Sequence, residues 1–481
     1  MKRKLLAGFM VVCLILTLLP ATALAADKVA EVGGVSYATL EEAIKNVPNN
    51  GTIKLLTDFV LSDKITVNGG TFTLDMDEHT ISLGATKTSG GAIIFSGNSD
   101  VTITGNGVVD FDESYLGKDA ASTGRMFEVD SDAVLTIENG TFHAGLVCVL
   151  VDNNAKAYIK GGEYSAHEVY SYNKWLLNRQ DGTNSRFFVS GGTFEYYDPY
   201  NSKTENPEEN FCAEGYTTIS EDKNDKIYYT VVPAVAEADG KYYATLAEAV
   251  DAVVSSTDKA GTVTLLKDAQ GCGIGLFNSK GHTDVDLTID FGGHTYTSGD
   301  PAVGSAGTES QAFHLEQGNK VTLKNGKITV VEDSANTNTQ MLIQNYCDLT
   351  LKDLVVDTSN STKVSYAMSN NCGNVNIIGD TSIKAHDGAV AFDVCGYANY
   401  TGVHVTVNTT GQIVGKVELS RSSGNDKPVR LSILNGDFTG AFDNQDDRAE
   451  ISITGGSFHN ADVSGFVADG YYTVTLNCAG G

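Results

Sequence analysis

The chain is poor in proline and has no paired cysteine motif, and these shortages narrow the class of fold. Seven prolines and one tryptophan stand among 481 residues, and the eight cysteines are scattered without any C-x-x-C pair. The scatter excludes the usual zinc modules and a dense disulfide framework. The 51 glycines, set among short runs of Thr, Val and Ile, favour many short strands joined by tight turns.

Basic residues are also in deficit. The 33 Lys and Arg are outnumbered by 60 Asp and Glu, which gives a formal net charge of −27. A negative field of this size repels phosphate backbones and anionic membrane surfaces. We therefore expect no nucleic-acid partner, and glycans or host and cell-surface proteins are the partners that the charge allows. The sequence does not indicate an oligomeric state.

A long apolar run occurs once, at the N-terminus. Basic residues at 2–4 precede "LLAGFMVVCLILTLLP", and a small-residue cleavage site ends at Ala25. This three-part pattern predicts a secretory signal peptide over residues 1–25. No later apolar run approaches the ~20 residues that cross a bilayer as a helix. We expect a secreted or cell-surface protein with no membrane span after cleavage.

Six short phrases repeat along the chain, at 135–144, 157–166, 187–196, 321–330, 431–440 and 451–460. Each is an alternating strand, then Asn-Gly, Gly-Gly or a near equivalent, then a second strand. Alternation at period two buries one face of a strand, and glycine permits a sharp bend. Asn-Gly is also typical of an antiparallel hairpin. The recurrence at roughly 20 to 34 residues instead favours a solenoid whose coils stack in parallel.

The phrase "YATLEEAI" at 37–44 returns as "YATLAEAV" at 243–250. In each copy a threonine stands three residues before a glutamate, which is the pattern of a helix capping box, and an apolar stripe follows at helical spacing. The exposed end of a β-stack invites aggregation unless something covers it. We therefore predict two short amphipathic helices, each covering the start of one stack.

Similar strands follow both helices in the same order, which indicates a duplicated domain. We predict domain 1 over 26–235 and domain 2 over 236–481. The segment "TLEEAIKNVPNNGTIKLLTDF" at 39–59 resembles the usual start of the pectin-lyase-like superfamily, and "ADGYYTV" at 468–474 resembles the close of tandem β-helix proteins exported by Gram-positive bacteria. The resemblance implies an all-β fold, a right-handed parallel β-helix in two tandem units, each with a short N-terminal capping helix.

That superfamily includes polysaccharide lyases and glycoside hydrolases, so catalysis has to be considered. The tripeptide "GHT" occurs at 281–283 and 293–295, but the flanking residues of the hydrolase signatures are missing. We assign no catalytic residue and expect a non-catalytic protein of adhesion, or of glycan or protein binding. The alternative is a carbohydrate-active enzyme, a lyase or hydrolase acting on an extracellular polysaccharide.

An aromatic-rich insertion at 164–200 is the first candidate binding site. Aromatic rings on a rigid solenoid stack on sugar rings, and polar neighbours bond hydroxyls. The predicted ligand-binding residues are Tyr170, Tyr172, Trp175, Arg179, Tyr196 and Tyr197. The alternative is that these rings only pack the insertion against the coils.

An acidic group is the second candidate, at Asp443, Asp446 and Asp447. It predicts a calcium site or an acid/base cluster, although a solvated turn explains it equally well. No other cofactor is predicted. Cys347, Cys372 and Cys395 stand just ahead of strands at one-coil spacing, and we expect them to form an interior ladder of small apolar side chains.

Overall fold

The computed structural model describes residues 28–84, 90–111, 124–167, 175–203, 205 and 207–475. The protein is all-β, with long parallel sheets and two short α-helices. The predicted signal peptide and the candidate residues Tyr170 and Tyr172 lie outside the described residues. No helix within the described ranges is both long and apolar enough to cross a bilayer.

The chain divides into two compact units at Pro233, except that 215–217 group with the second unit. Three sheets build unit 1. The first contains β1 Ala30–Val32, β2 Val35–Tyr37, β3 Gly51–Leu55, β6 Thr71–Asp75, β9 Asp100–Thr104, β12 Val134–Ile137, β15 Lys156–Ile159 and β18 Arg186–Val189. The second contains β4 Phe59–Leu61, β7 Thr80–Leu83, β10 Val108–Phe111, β13 Thr141–Ala144, β16 Glu163–Ala166, β19 Thr193–Glu195, β20 Tyr216–Lys223 and β21 Lys226–Pro233. The third contains β5 Ile65–Asn68, β8 Ile93–Ser96, β11 Arg125–Val129, β14 Val147–Val151 and β17 Leu177–Arg179.

Two sheets build unit 2. The larger contains β22 Ala236–Ala238, β23 Lys241–Tyr243, β24 Ala260–Leu265, β25 Ala269–Gly271, β27 Asp286–Asp290, β28 Thr295–Ser298, β30 Lys320–Val330, β32 Asp348–Asp357, β34 Gly373–Gly379, β35 Ser382–Lys384, β37 Val403–Val414, β39 Val429–Thr439, β41 Glu450–Ile453 and β42 Ser457–His459. The smaller contains β26 Ile274–Leu276, β29 Gln311–Leu315, β31 Met341–Asn345, β33 Tyr366–Asn370, β36 Val390–Gly396, β38 Lys416–Arg421 and β40 Phe442–Asn444. Short 3₁₀ turns lie at Asn278–Lys280 and Ser464–Phe466.

The repeated phrases form stacked coils and not hairpins. In unit 1 each strand of the stack pairs in parallel with the strand three further along the chain, as β9 pairs with β12 and β12 with β15. The Asn139-Gly140 corner joins β12 to β13, which belongs to a different sheet and pairs with β10 and β16. The parallel prediction is therefore confirmed, and the antiparallel hairpin alternative is wrong.

Glycine stands at these corners because neighbouring coils approach closely. A Cβ atom placed on Gly161 would lie 2.3 Å from the carbonyl oxygen of Glu138 in the preceding coil, and one on Gly191 would lie 2.0 Å from the carbonyl oxygen of Lys160. Real Cβ atoms do not approach oxygen so closely. The bend therefore requires glycine for a steric reason in addition to backbone freedom.

Helices lie at both predicted places. Helix α1 is Leu40–Asn46 and packs on β1 and β2, while α2 is Leu246–Val254 and packs on β22, β23 and β24. In α2 the capping box is complete, with Thr245 and Glu248 each bonding the other's backbone N–H at 3.1 Å. In α1 the glutamate accepts instead from the N–H of Ala38, so the predicted box is only half formed.

Short antiparallel hairpins accompany both helices. The β1–β2 pair adds to β3, and the β22–β23 pair adds to β24. Each hairpin occupies hydrogen-bonding groups at one edge of its parallel stack, which would otherwise pair with another chain. The sequence predicted the helices and missed these hairpins, whose strands are three residues long.

Apolar side chains from successive coils stack inside each unit. The rings of Phe142, Tyr164 and Phe194 lie parallel, with centroids 5.1 and 4.7 Å apart. The cysteine ladder is shorter than predicted. Cys347 and Cys372 are buried, but Cys395 is partly exposed. The coil step that pairs Met368 with Phe392 is 24 residues, one more than the cysteine spacing, and a one-residue slip turns a side chain to the opposite face.

Candidate functional site

The predicted aromatic residues mostly serve the packing of unit 1. Tyr197 is 3% exposed, and its hydroxyl donates to the carbonyl of Leu177 at 3.0 Å. The hydroxyl of Tyr196 donates to the carbonyl of Asp225 at 2.8 Å. Trp175 is 37% exposed and presents its ring to solvent. Among the described candidates, Trp175 is thus the residue placed best to meet a ligand.

Arg179 is held by an ion pair. Its Nε and Nη2 atoms lie 2.8 and 2.7 Å from one carboxylate oxygen of Glu209, and its backbone N–H donates to Glu205. Burial raises the pKa of Glu205. The guanidinium donors used by Glu209 are not available to a sugar hydroxyl.

The three predicted acidic residues do not converge. The carboxylate of Asp446 is buried against the guanidinium of Arg421, with Nε and Nη2 at 2.9 and 2.7 Å. Asp447 is exposed, and Asp443 lies one strand away, opposite Glu418. Within the described residues these carboxylates do not form a group of adjacent metal-ligand atoms. Arg421 supplies the countercharge to Asp446 that a calcium ion would have supplied.

Unit 2 contains a cleft of about 710 Å³, here called the polar cleft, lined by residues at 278, 283–286, 317–320, 346–348, 372–373 and 401. These residues stand just before, or at the start of, the strands β27, β30, β32, β34 and β37. Stacked coils are about 4.8 Å apart, so a cleft crossing five of them runs for about 19 Å. Its size suits a small extended ligand.

One edge of the polar cleft carries charged residues in register. Asp286 pairs with Lys320, and Lys320 pairs with Asp348, on three adjacent parallel strands. The ammonium of Lys320 lies 2.9 Å from the carboxylate of Asp286. The amide of Asn374 donates to Asp348 at 3.0 Å. These contacts hold exposed hydrogen-bonding groups in fixed positions along the cleft.

Three tyrosines, Tyr346, Tyr397 and Tyr400, form a group at the wall of the cleft, here called the tyrosine cluster. The ring of Tyr346 lies 4.8 Å from Tyr400 and 6.4 Å from Tyr397 between centroids, and Tyr346 itself lines the cleft. Tyr397 is 45% exposed. Burial raises the pKa of Tyr346 and of Tyr400, so both keep neutral hydroxyls at physiological pH.

The loop that carries the tyrosine cluster is fixed by the next coil. The side-chain amide of Asn425 donates to the carbonyls of Tyr397 and Ala398 at 3.3 and 2.8 Å. Arg421 donates to the oxygen of Asn425 at 3.3 Å. Arg421 is in turn held by Asp446. The predicted metal ligand Asp446 is therefore connected to this site through a chain of hydrogen bonds.

A buried carboxyl group lies in the smaller sheet of unit 2. Asp393 is 5% exposed and accepts hydrogen bonds from the Ser369 hydroxyl at 3.0 Å and from the Asn370 N–H at 2.6 Å. Burial, with a smaller contribution from the neighbouring Glu418, raises the pKa of Asp393 to about 7. Glu418 stands opposite Asp393 in the next strand and pairs with Lys416 at 2.8 Å.

A histidine cluster occupies unit 1 and consists of Asp110, His143 and His167. One carboxylate oxygen of Asp110 lies 3.2 Å from Nδ1 of His143 and 3.5 Å from Nε2 of His167. Among the described residues this is the group whose ligand atoms lie close enough together for a metal ion.

The sequence analysis missed all three of these groups. The tyrosine cluster had a local signal, since "GYANY" at 396–400 lengthens one corner of an otherwise short-turned coil. The histidine cluster had a signal in register. If the phrases are aligned on their corner glycines, Gly107 and Gly140, then Asp110 and His143 fall at the same position.

No family model matches this chain, and neither the curated proteins nor the solved structures contain a match to it. The function must therefore be argued from the geometry of the described residues.

Proposed function

We propose that this chain is a secreted or cell-surface right-handed parallel β-helix protein of two tandem units, which binds an extended glycan in the polar cleft of unit 2. The fold part of the proposal is supported by the every-third-strand pairing and by the two helices at the starts of the stacks. The sequence resemblance supplies the hand of the coil.

One observation carries the functional part: the cleft is continuous with the tyrosine cluster. A sugar ring has an apolar face that stacks on aromatic rings and a rim of hydroxyls that need polar partners. Tyr346, Tyr397 and Tyr400 offer the first. The exposed carboxylates, amides and ammonium along the cleft offer the second.

The shape of the cleft favours a polymer over a single sugar. Its lining residues come from five successive coils, and the coils keep a regular spacing of about 4.8 Å. A rigid repeated surface of this kind suits a ligand that also repeats along its length. A neutral glycan is favoured over an anionic one because the chain carries a net charge of −27.

Binding is tested with the chain from residue 26 onward and a panel of soluble neutral plant and host glycans and polyuronides, with and without calcium. Calorimetry should show saturable binding to a neutral glycan. Tyr397→Ala should weaken it by about fivefold or more, because one aromatic contact is worth about 1 kcal/mol. Tyr472→Ala is the matched control, since Tyr472 is 82% exposed, lies in the same unit and is outside the tyrosine cluster.

The control should bind as the unaltered chain does, and both variants should unfold at the same temperature as the parent. Absence of saturable binding across the panel would contradict the proposal. A loss caused by Trp175→Ala but not by Tyr397→Ala would move the site to the aromatic insertion of unit 1.

A second candidate function is hydrolysis or lysis of a polysaccharide, and the raised pKa of Asp393 is the observation that favours it. Glycoside cleavage needs one protonated and one ionised carboxyl group, and Asp393 and Glu418 are neighbours on adjacent strands. We rank it second because Asp393 is nearly inaccessible and both its oxygens already accept hydrogen bonds. New reducing ends or unsaturated products that vanish in Asp393→Asn would reverse this order.

A further inference from the structure

Stacking of three coils brings the histidine cluster together. Asp110 in β10 stands opposite His143 in β13, and His143 stands opposite Ser165 in β16. His167 follows β16 directly, and its ring stacks on that of His143 with centroids 3.7 Å apart. Residues 33 and 24 positions apart in the sequence thus present their polar atoms to one point.

The distances fit one coordination geometry. Zinc binds imidazole nitrogen at about 2.0–2.1 Å and carboxylate oxygen at about 2.0–2.2 Å, usually in a tetrahedron. Two ligand atoms of such a tetrahedron are then about 3.3–3.5 Å apart. The two Asp110 contacts measure 3.2 and 3.5 Å. All three ligand atoms lie within 4.8 Å of one another, so a small side-chain rotation closes the third edge.

The chain also contains simpler pairs of histidine and aspartate, and the comparison is informative. His79 lies 3.4 Å from Asp58, and His294 lies 3.5 Å from Asp268, each at the corner before an equivalent strand. Those pairs have one imidazole for one carboxylate. In the histidine cluster a second imidazole shares the same carboxylate oxygen, and two stacked imidazolium ions would repel each other. A divalent cation coordinated by two neutral imidazoles balances the charges better.

We propose that Asp110, His143 and His167 bind a divalent transition-metal ion of the zinc class, which links three successive coils of unit 1. Two nitrogen donors and one oxygen donor suit zinc and its neighbours, whereas calcium takes oxygen ligands. Three protein ligands leave a fourth position for water or for an exogenous ligand. The site lies in unit 1 and is independent of the glycan proposal, which concerns unit 2.

The test uses the tag-free chain from residue 26 onward, stripped with a chelator and titrated with zinc, with calcium and magnesium as comparison ions. We expect one equivalent of zinc to bind. We also expect the unfolding temperature to rise by about 5–10 °C at a hundredfold excess over the dissociation constant, because an ion that binds the folded state stabilises it. Cobalt should give the visible absorption bands of a tetrahedral complex.

The variants His143→Gln, His167→Gln and Asp110→Asn should each lower zinc affinity by at least tenfold and abolish the thermal shift. His79→Gln is the matched control, because His79 precedes β7 in the same sheet and keeps a single aspartate partner. It should bind zinc as the parent does. Far-UV spectra without metal show whether each variant is folded.

Two results would overturn the proposal. The first is no stoichiometric zinc binding by the folded parent. The second is binding that survives in a folded His143→Gln, His167→Gln double variant, since this would place the ion elsewhere in the chain.

Discussion

The buried carboxyl of Asp393 should make the stability of this protein depend on pH in an unusual direction. Its pKa rises from an ordinary 3.8 to about 7 in the folded chain. Between these values the folded state holds a proton that the unfolded chain has released. Because the native state then binds more protons, the free energy of unfolding falls as pH rises through this window, and the loss is complete above about pH 7.

The size of the effect follows from the shift. One pKa unit corresponds to 1.36 kcal/mol, so a shift of about three units gives a loss on the order of 4 kcal/mol between pH 4 and pH 8. Asp393→Asn keeps the shape and removes the titration. The variant should therefore be more stable than the parent at pH 8, whereas ordinary loss of a buried hydrogen-bonded carboxylate would destabilise it.

The measurement is urea unfolding of parent and variant at pH 5 and pH 8. Subtracting the variant's pH difference from the parent's cancels the other titrating groups. We expect a remainder of about 2–4 kcal/mol. Glu418→Gln should shrink it, since Glu418 disfavours the charged Asp393, and Ser369→Ala should enlarge it, since that hydroxyl donates to the carboxylate. A remainder below about 0.5 kcal/mol, within the error of extrapolation, would refute the reasoning.

Two further substitutions test packing and the support of the cleft. Phe142→Ala should lower the free energy of unfolding by about 3–5 kcal/mol because the ring is wholly buried, whereas Phe188→Ala, which removes a half-exposed ring from an outer stack, should cost less than about 1.5 kcal/mol; equal losses in urea titrations would contradict this account of the core. Arg421→Leu should cost about 3–5 kcal/mol, because it leaves Asp446 buried without its countercharge, and should also weaken glycan binding; unchanged stability would mean that the ion pair does not hold the loop.

The local elements of this protein follow from the sequence by itself. Period-two alternation and a glycine corner repeat often enough to require stacked strands, because no other arrangement buries one face of every phrase. The threonine and glutamate of each "YATL" phrase likewise determine where the helices begin, since the cap needs only residues three positions apart. These signals are short-range, and a single chain displays them directly.

What the tertiary structure alone decided is which distant side chains meet. Asp110, His143 and His167 come together because their coils differ in length by the right number of residues, and Cys395 leaves the interior because one coil step is a single residue longer. The two most confidently shaped surfaces, the polar cleft and the tyrosine cluster, arise where a corner loop folds back over earlier coils. A stacked coil brings together residues that are more than twenty positions apart, and the register between coils depends on backbone pairing along the whole stack. A local pattern does not carry that information.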